Sequence, residues 1–152
     1  MAHALSARVA LIEGDRFAAL TGSGGVADLA PADEDGQATG AISPMEALLV
    51  ALVGCLGMAV APILRKSRQP VTGYEVRASG VLTTRPPRVF ETITVEHTFI
   101  GEGLDPRVIE RAVTLAEERY CGASAMLGKS ARIHHHISIA ERGPIQEGSH
   151  GA

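Results

Sequence analysis

From Ala47 to Leu64 the chain runs for about 18 residues without a charge, inside the stretch SPMEALLVALVGCLGMAVAPIL. A run of that length lies at the lower edge of what spans a hydrocarbon core. In water, a helix apolar on every side has to be enclosed on every side. Four alanines, two glycines and Pro62 dilute the run, and no Trp, two Tyr and three Phe in 152 residues leave no aromatic belt. The patterned segments around it also need a common core to pack on. A single small domain struggles to surround such a helix. The expectation is therefore a homodimer in which the helix packs against its twin, with no membrane partner.

Start signals for this helix are dense. Ser43 stands at the cap, Pro44 at the first helical position and Glu46 three residues after the cap, which completes a capping box. The helix should run from about Pro44 to Lys66, with Pro62 kinking it or ending its regular part. Upstream, ARVALI and DRFAAL form a hairpin about a turn at Glu13 and Gly14, VADLA is a third strand, and PADEDGQATGAI is a loop. From Tyr74 the period changes to two: YEVRASGVLT, a turn at RPP, then RVFETITVEHTFI, with Val89, Ile93, Val95 and Phe99 on one face. A second helix is capped by Asp105 and Pro106, carries the apolar stripe Val108, Ala112, Leu115, Ala116 and Tyr120, and stops at Gly122. SAMLGKS is a short helical piece, ARIHHHISI a last strand, and residues from about 141 to 152 a flexible tail. Strands and helices in this order do not alternate as βαβ units, so the class is α+β, in one domain over residues 1–152.

A net charge of -3 provides no basic surface for nucleic acid. The first residues, MAHALSARVALIEGD, lack the features of a secretory signal, so the expected location is the cytoplasm. Two cysteines in a reducing compartment are no structural framework, and without CxxC spacing they are neither a zinc ribbon nor a thioredoxin motif. From the residues alone, Cys55 and Cys121 are either inert buried thiols or a redox pair.

SPMEALLVALVGC, LRKSRQPVTGYEV, RPPRVFETITVEHTF and EERYCGASAML, in that order, resemble the OsmC/Ohr family, closest to its YhfA-like branch, over roughly residues 7 to 140. The resemblance implies an OsmC-like fold: antiparallel sheets wrapped around two central helices of an intertwined homodimer. It also implies a thiol-dependent peroxidase of organic hydroperoxides, serving oxidative stress defence and re-reduced by a dithiol such as a lipoylated protein. Cys55 attacks, Cys121 resolves, and no metal or organic cofactor takes part. Such chemistry needs a thiolate to become a sulfenic acid and a second thiol to condense with it. The alternative is a non-catalytic relative that binds a small hydrophobic ligand or acts as a slow redox sensor.

Cys121 at the end of the second helix meets the unfavourable pole of the dipole, which favours Cys55 as the attacking thiol. A thiol among apolar neighbours needs a cation to ionise. The family's peroxidases supply an arginine from an early strand and a glutamate at the start of the central helix. Arg16 in GDRF and Glu46 stand in those places, while Arg88 is either a site residue or a charge at a strand start. Nine residues of helix turn about 900 degrees, so Glu46 faces away from Cys55 within one chain and otherwise only closes its capping box. Gly122 follows the second cysteine where the better studied peroxidases carry proline.

HHH at 134 to 136 invites a metal reading, but on a strand at most His134 and His136 share a face, so solvated histidines are expected there. His97 lies on the apolar face of its strand and should be a satisfied core histidine. GSGG at 22 to 25 lacks the lysine of a phosphate loop and is a turn.

Overall fold

The computed structural model describes residues 2–33, 35 and 37–142. The tail expected from about 141 lies outside the described residues beyond Arg142. The chain divides into two compact units, Met1–Leu48 and Leu49–Ala152.

The first unit is an antiparallel sheet of β1 (Ala7–Glu13), β2 (Arg16–Thr21) and β3 (Val26–Leu29), in that order. Gly14 takes a φ of +49° in the β1–β2 turn, a conformation that suits glycine. β1 is exposed along its whole length, Val9, Leu11 and Ile12 included.

Helix α1 runs Pro44–Lys66, as the capping signals require. Its box is closed both ways: Ser43 N–H donates to Glu46 Oε2 at 2.8 Å, and Glu46 N–H donates to Ser43 Oγ at 3.3 Å. The helix continues through Pro62, whose missing N–H leaves the Met58 carbonyl without its helical donor. α1 is long and apolar enough to cross a membrane, with a mean hydropathy of 2.5 over 18 residues. It buries Leu52, Leu56, Val60 and Leu64, one stripe at four-residue spacing, and leaves Leu48, Val50 and Met58 exposed. Within one chain it is therefore not enclosed on every side.

The second unit is built on a mixed sheet of β4 (Gly73–Leu82), β5 (Phe90–Ile100) and β6 (Arg132–Ala140). β4 and β5 form the expected antiparallel hairpin, but β6 joins β5 in parallel. The sheet is thus not wholly antiparallel. The helical crossover between β5 and β6 returns the chain to the starting side, which a tight turn cannot do. The inner face of β5 is the centre of the core, with Ile93, Val95, His97 and Phe99 at most 1% exposed. At its start, however, Val89 is exposed and Phe90 is buried. A bulge pairs Leu82 with Phe90 and Val81 with Thr92, so Glu91 is the extra residue and the alternation changes face there.

α2 (Pro106–Leu115) begins as expected, with Asp105 Oδ1 accepting from Arg107 N–H at 2.9 Å. Its buried stripe is Ile109, Ala112, Val113 and Ala116 rather than the set centred on Val108 and Tyr120. The chain then widens into a π-turn, Ala116–Tyr120, closed by Cys121 N–H to Ala116 O at 2.8 Å. That turn rotates Tyr120 out to 63% exposure. Gly122 opens the short helix α3 (Gly122–Leu127) instead of ending α2. Val60, Leu64, Phe99, Leu104 and the α2 stripe make one cluster, which packs α2 and the start of its π-turn against α1 and the sheet.

Candidate active site

Cys55 and Cys121, 66 positions apart in sequence, are brought together in the second unit. Both are free thiols, and the Cys55 thiol lies near enough to Cys121 to act on its ionisation. Their surroundings differ. Cys55 is half-buried and lines an open cleft of about 630 Å³. Met58, Ala59, Pro62 and Ile63 of α1 form one wall, and Leu115 and Tyr120 the other. The spacings from Cys55 to these α1 residues, three, four, seven and eight, keep them on one face of a helix. Lys66, eleven positions from Cys55, closes that face and is the one cation among the described residues lining the cleft. Eleven residues place it about 16 Å along the axis, too far to act on the thiol directly.

Cys121 is 2% exposed. It follows the π-turn and caps α3, its Sγ accepting from Ser124 N–H at 3.3 Å. The dipole expected to disfavour an anion here is thus reversed, because the chain starts a new helix at Gly122. Burial nevertheless dominates and pushes the Cys121 thiol up, with Ser124 working the other way and the Cys55 thiol adding to the rise. Exposure, rather than the dipole, is what sets the two thiols apart.

Glu46 and Arg16 belong to the first unit. Glu46 is engaged in its capping box, and accepting the Ser43 N–H holds its carboxyl below the ordinary value. Arg16 Nη2 pairs with Asp28 Oδ2 across β2 and β3 at 2.6 Å, which raises its already high pKa. Arg88 Nε donates to the Thr83 carbonyl at 3.4 Å across the β4–β5 loop.

A set of residues that sequence reasoning treated separately forms one line across the inner face of the sheet. Tyr74 Oη is 2.8 Å from His97 Nδ1, and His97 Nε2 is 3.0 Å from His135 Nδ1. His135 Nε2 is 3.1 Å from Glu117 Oε1, off the line of a well-formed hydrogen bond. Burial, with His135 alongside, pulls His97 down to about 4. His97 is the satisfied core histidine expected. His135 is turned inward, while His134 and His136 are exposed. Among the described residues no three His, Cys, Asp or Glu side chains converge to hold a metal ion. The signal available in the sequence was a histidine at an inward position of each of two apolar strand faces.

A family model described as OsmC-like protein matches residues 35–136, which include both cysteines. The chain is 36% identical over 97 residues to protein YhfA of Escherichia coli K12, covering 64% of this chain and 72% of that protein. Among solved structures, a hypothetical protein from Aquifex aeolicus VF5 superposes with a TM-score of 0.82 at 24% identity, over 93% of this chain and all of that one. An organic hydroperoxide resistance protein OsmC from Legionella pneumophila superposes with a TM-score of 0.69 at 19% identity, over 90% and 97% of the two chains. At these identities the superpositions speak for the fold alone. The sequence matches carry the assignment: this α+β chain belongs to the OsmC-like family, on its YhfA-like branch.

Proposed function

We propose that the chain is a thiol-dependent peroxidase for organic hydroperoxides, with Cys55 as the attacking and Cys121 as the resolving thiol. The observation that supports it is the proximity of two thiols from distant segments, one lining a largely apolar cleft and the other buried. The Cys55 thiolate attacks one peroxide oxygen. A sulfur–oxygen bond forms, the oxygen–oxygen bond breaks, and the alkoxide takes up a proton to leave as the alcohol. Cys121 sulfur then bonds to Cys55 sulfur, and the hydroxyl of the sulfenic acid leaves with the Cys121 proton as water. A dithiol, such as a lipoylated protein, returns the pair to thiols. An apolar cleft suits an organic hydroperoxide better than hydrogen peroxide.

The proposal extends to assembly and place. Exposed apolar residues on β1 (Val9, Leu11, Ile12) and α1 (Val50, Met58) favour a homodimer that covers them. Residues 1–152 act as one domain, in the cytoplasm. Arg16, with Glu46, is assigned to the thiolate's charge partner; to serve, it must exchange Asp28 for the site.

A second reading has its own support, since no guanidinium lines the cleft among the described residues. On that reading the cleft binds a small hydrophobic ligand, or the cysteines act as a slow redox sensor. Thiol loss after mixing reduced protein with cumene hydroperoxide or hydrogen peroxide separates the two. Rapid loss of two thiols with cumene hydroperoxide is expected. Cys55→Ser should abolish it, and Cys121→Ser should stop at a trappable sulfenic acid. Loss no faster than free cysteine gives the second reading.

A further inference from the structure

The line from Tyr74 to Glu117 crosses four elements, and the proposed chemistry makes no use of it. Its wiring is dictated by counting donors. A neutral imidazole has one N–H and one lone pair. With Glu117 ionised, His135 Nε2–H faces the carboxylate, so His135 Nδ1 accepts from His97 Nε2–H and His97 Nδ1 accepts from Tyr74 O–H. From Tyr74 Oη to His135 Nδ1 every atom is satisfied in that one direction only. His135 Nε2 is sealed from solvent, and the Glu117 oxygen is the acceptor facing it. Losing that oxygen would take away the one carboxylate, 3.1 Å off, that faces this buried nitrogen, which is costly.

Glu117 is the second residue of the π-turn, and Cys121 hangs from the first, its N–H bonded to Ala116 O at 2.8 Å. Among the described residues, Glu117 to His135 is the only side-chain polar link between residues 116–131 and the sheet. The end of the line therefore adds a side-chain polar tether to a turn whose first residue, Ala116, the core already holds, and that turn sets where the Cys121 sulfur stands.

We propose that Glu117 and His135 are positioning residues, a latch that holds the Cys121 turn against Cys55 and so sets the stability of the disulfide between them. The inference rests on the redox reading of the cysteine pair, but its test needs no peroxide. In glutathione buffer the two thiols and one glutathione disulfide exchange to give the Cys55–Cys121 disulfide and two glutathione thiols, with electrons and protons balanced. A latch that holds the thiols together raises their effective concentration, so releasing it disfavours the disulfide.

The equilibrium is read on the full chain by alkylation and mass shift. Glu117→Ala and His135→Phe should each lower the disulfide equilibrium constant about tenfold, equivalent to about 30 mV. The double variant should fall no further than His135→Phe alone, because the contact that Glu117→Ala removes is by then already lost. Glu118→Ala, on the same turn, should stay within about twofold of the parent, as ordinary additivity allows for a residue outside the contact. Glu117→Ala alone decides if His135→Phe does not fold, since the Glu117 side chain is 34% exposed and its loss leaves no large cavity. An unchanged constant in Glu117→Ala, an equal drop in Glu118→Ala, or a double variant that falls about a hundredfold overturns the latch. Slow reaction of the parent with cumene hydroperoxide, alongside a measurable disulfide equilibrium, defeats the peroxidase reading and leaves the latch to be judged by these variants. A parent that forms no disulfide defeats both.

Discussion

His97 should make the fold sensitive to acid well above the range where carboxylates titrate. Its ring is 1% exposed, stacks near Phe99 and Tyr74, and has both nitrogens occupied by Tyr74 Oη and His135 Nδ1. Those contacts suit the neutral ring, and burial lowers its pKa from 6.5 to about 4. Above pH 6.5 neither the folded nor the unfolded chain carries this proton, so stability is unaffected there. Between 6.5 and 4 the unfolded chain binds it and the folded chain does not, so stability falls as pH falls. The loss is complete below the folded value and amounts to about 3 kcal/mol, of which about 2 kcal/mol is gone by pH 5. Urea titrations at pH 7.5, 6 and 5 on the parent and on His97→Phe measure it. The variant should be less stable at pH 7.5 by about 1–3 kcal/mol, because Tyr74 Oη and His135 Nδ1 lose their partner. Its further loss down to pH 5 should be smaller than the parent's by about 2 kcal/mol. Equal losses in the two proteins would show that the ring takes up its proton freely in the fold, and the reasoning from burial would be wrong.

Gly80→Ala should destabilise by about 1–3 kcal/mol, because a Cβ there would stand 2.4 Å from Cδ1 and Cε1 of the buried Phe90 ring; an unmoved urea midpoint would mean that the ring can step aside. Ser43→Ala removes one bond of the α1 capping box and should cost about 1 kcal/mol in the same assay. Gly122→Ala should stabilise by about 0.4–1 kcal/mol, since the residue is helical with open space at its Cβ, and a lowered melting temperature would contradict that placement.

What could be read in advance was what short segments decide for themselves. Ser43, Pro44 and Glu46 start α1, Asp105 and Pro106 start α2, and period-two alternation marks β4 and β5, because caps and pleats involve neighbours in sequence. What could not be read depends on partners far along the chain. The exchange of Val89 for Phe90 in the core follows from where β4 pairs with β5, and the parallel placement of β6 follows from the crossover. The α2 stripe falls on Ile109 and Val113 because that face meets α1 and the sheet, while the π-turn frees Tyr120 for the Cys55 cleft and makes Gly122 a starter. The same turn decides the surroundings of Cys121. The Tyr74–Glu117 line needed four elements in place before its atoms could be connected. Two inward histidines on apolar strands were its only trace, and they mark a buried polar group in want of a partner without saying which.

The two thiols carry unequal burdens, and the asymmetry fits the order proposed for them. An attacking thiol has to meet a substrate, which the cleft allows at Cys55 and the 2% exposure of Cys121 does not. A resolving thiol meets only the sulfenic acid beside it, so burial is no obstacle to contact. Burial does raise the Cys121 thiol, which keeps its proton in place before resolution. That is tolerable because the departing hydroxide needs a proton, and the Cys121 proton can go to it as the disulfide forms. With both cysteines as thiols, Ser124 N–H points at the Cys121 sulfur at 3.3 Å. On the proposed cycle a dithiol would open the bridge at Cys55, its accessible sulfur, and Cys121 would leave as a thiolate facing this N–H. The cap that shares control of the Cys121 pKa before oxidation thus favours its departure during re-reduction.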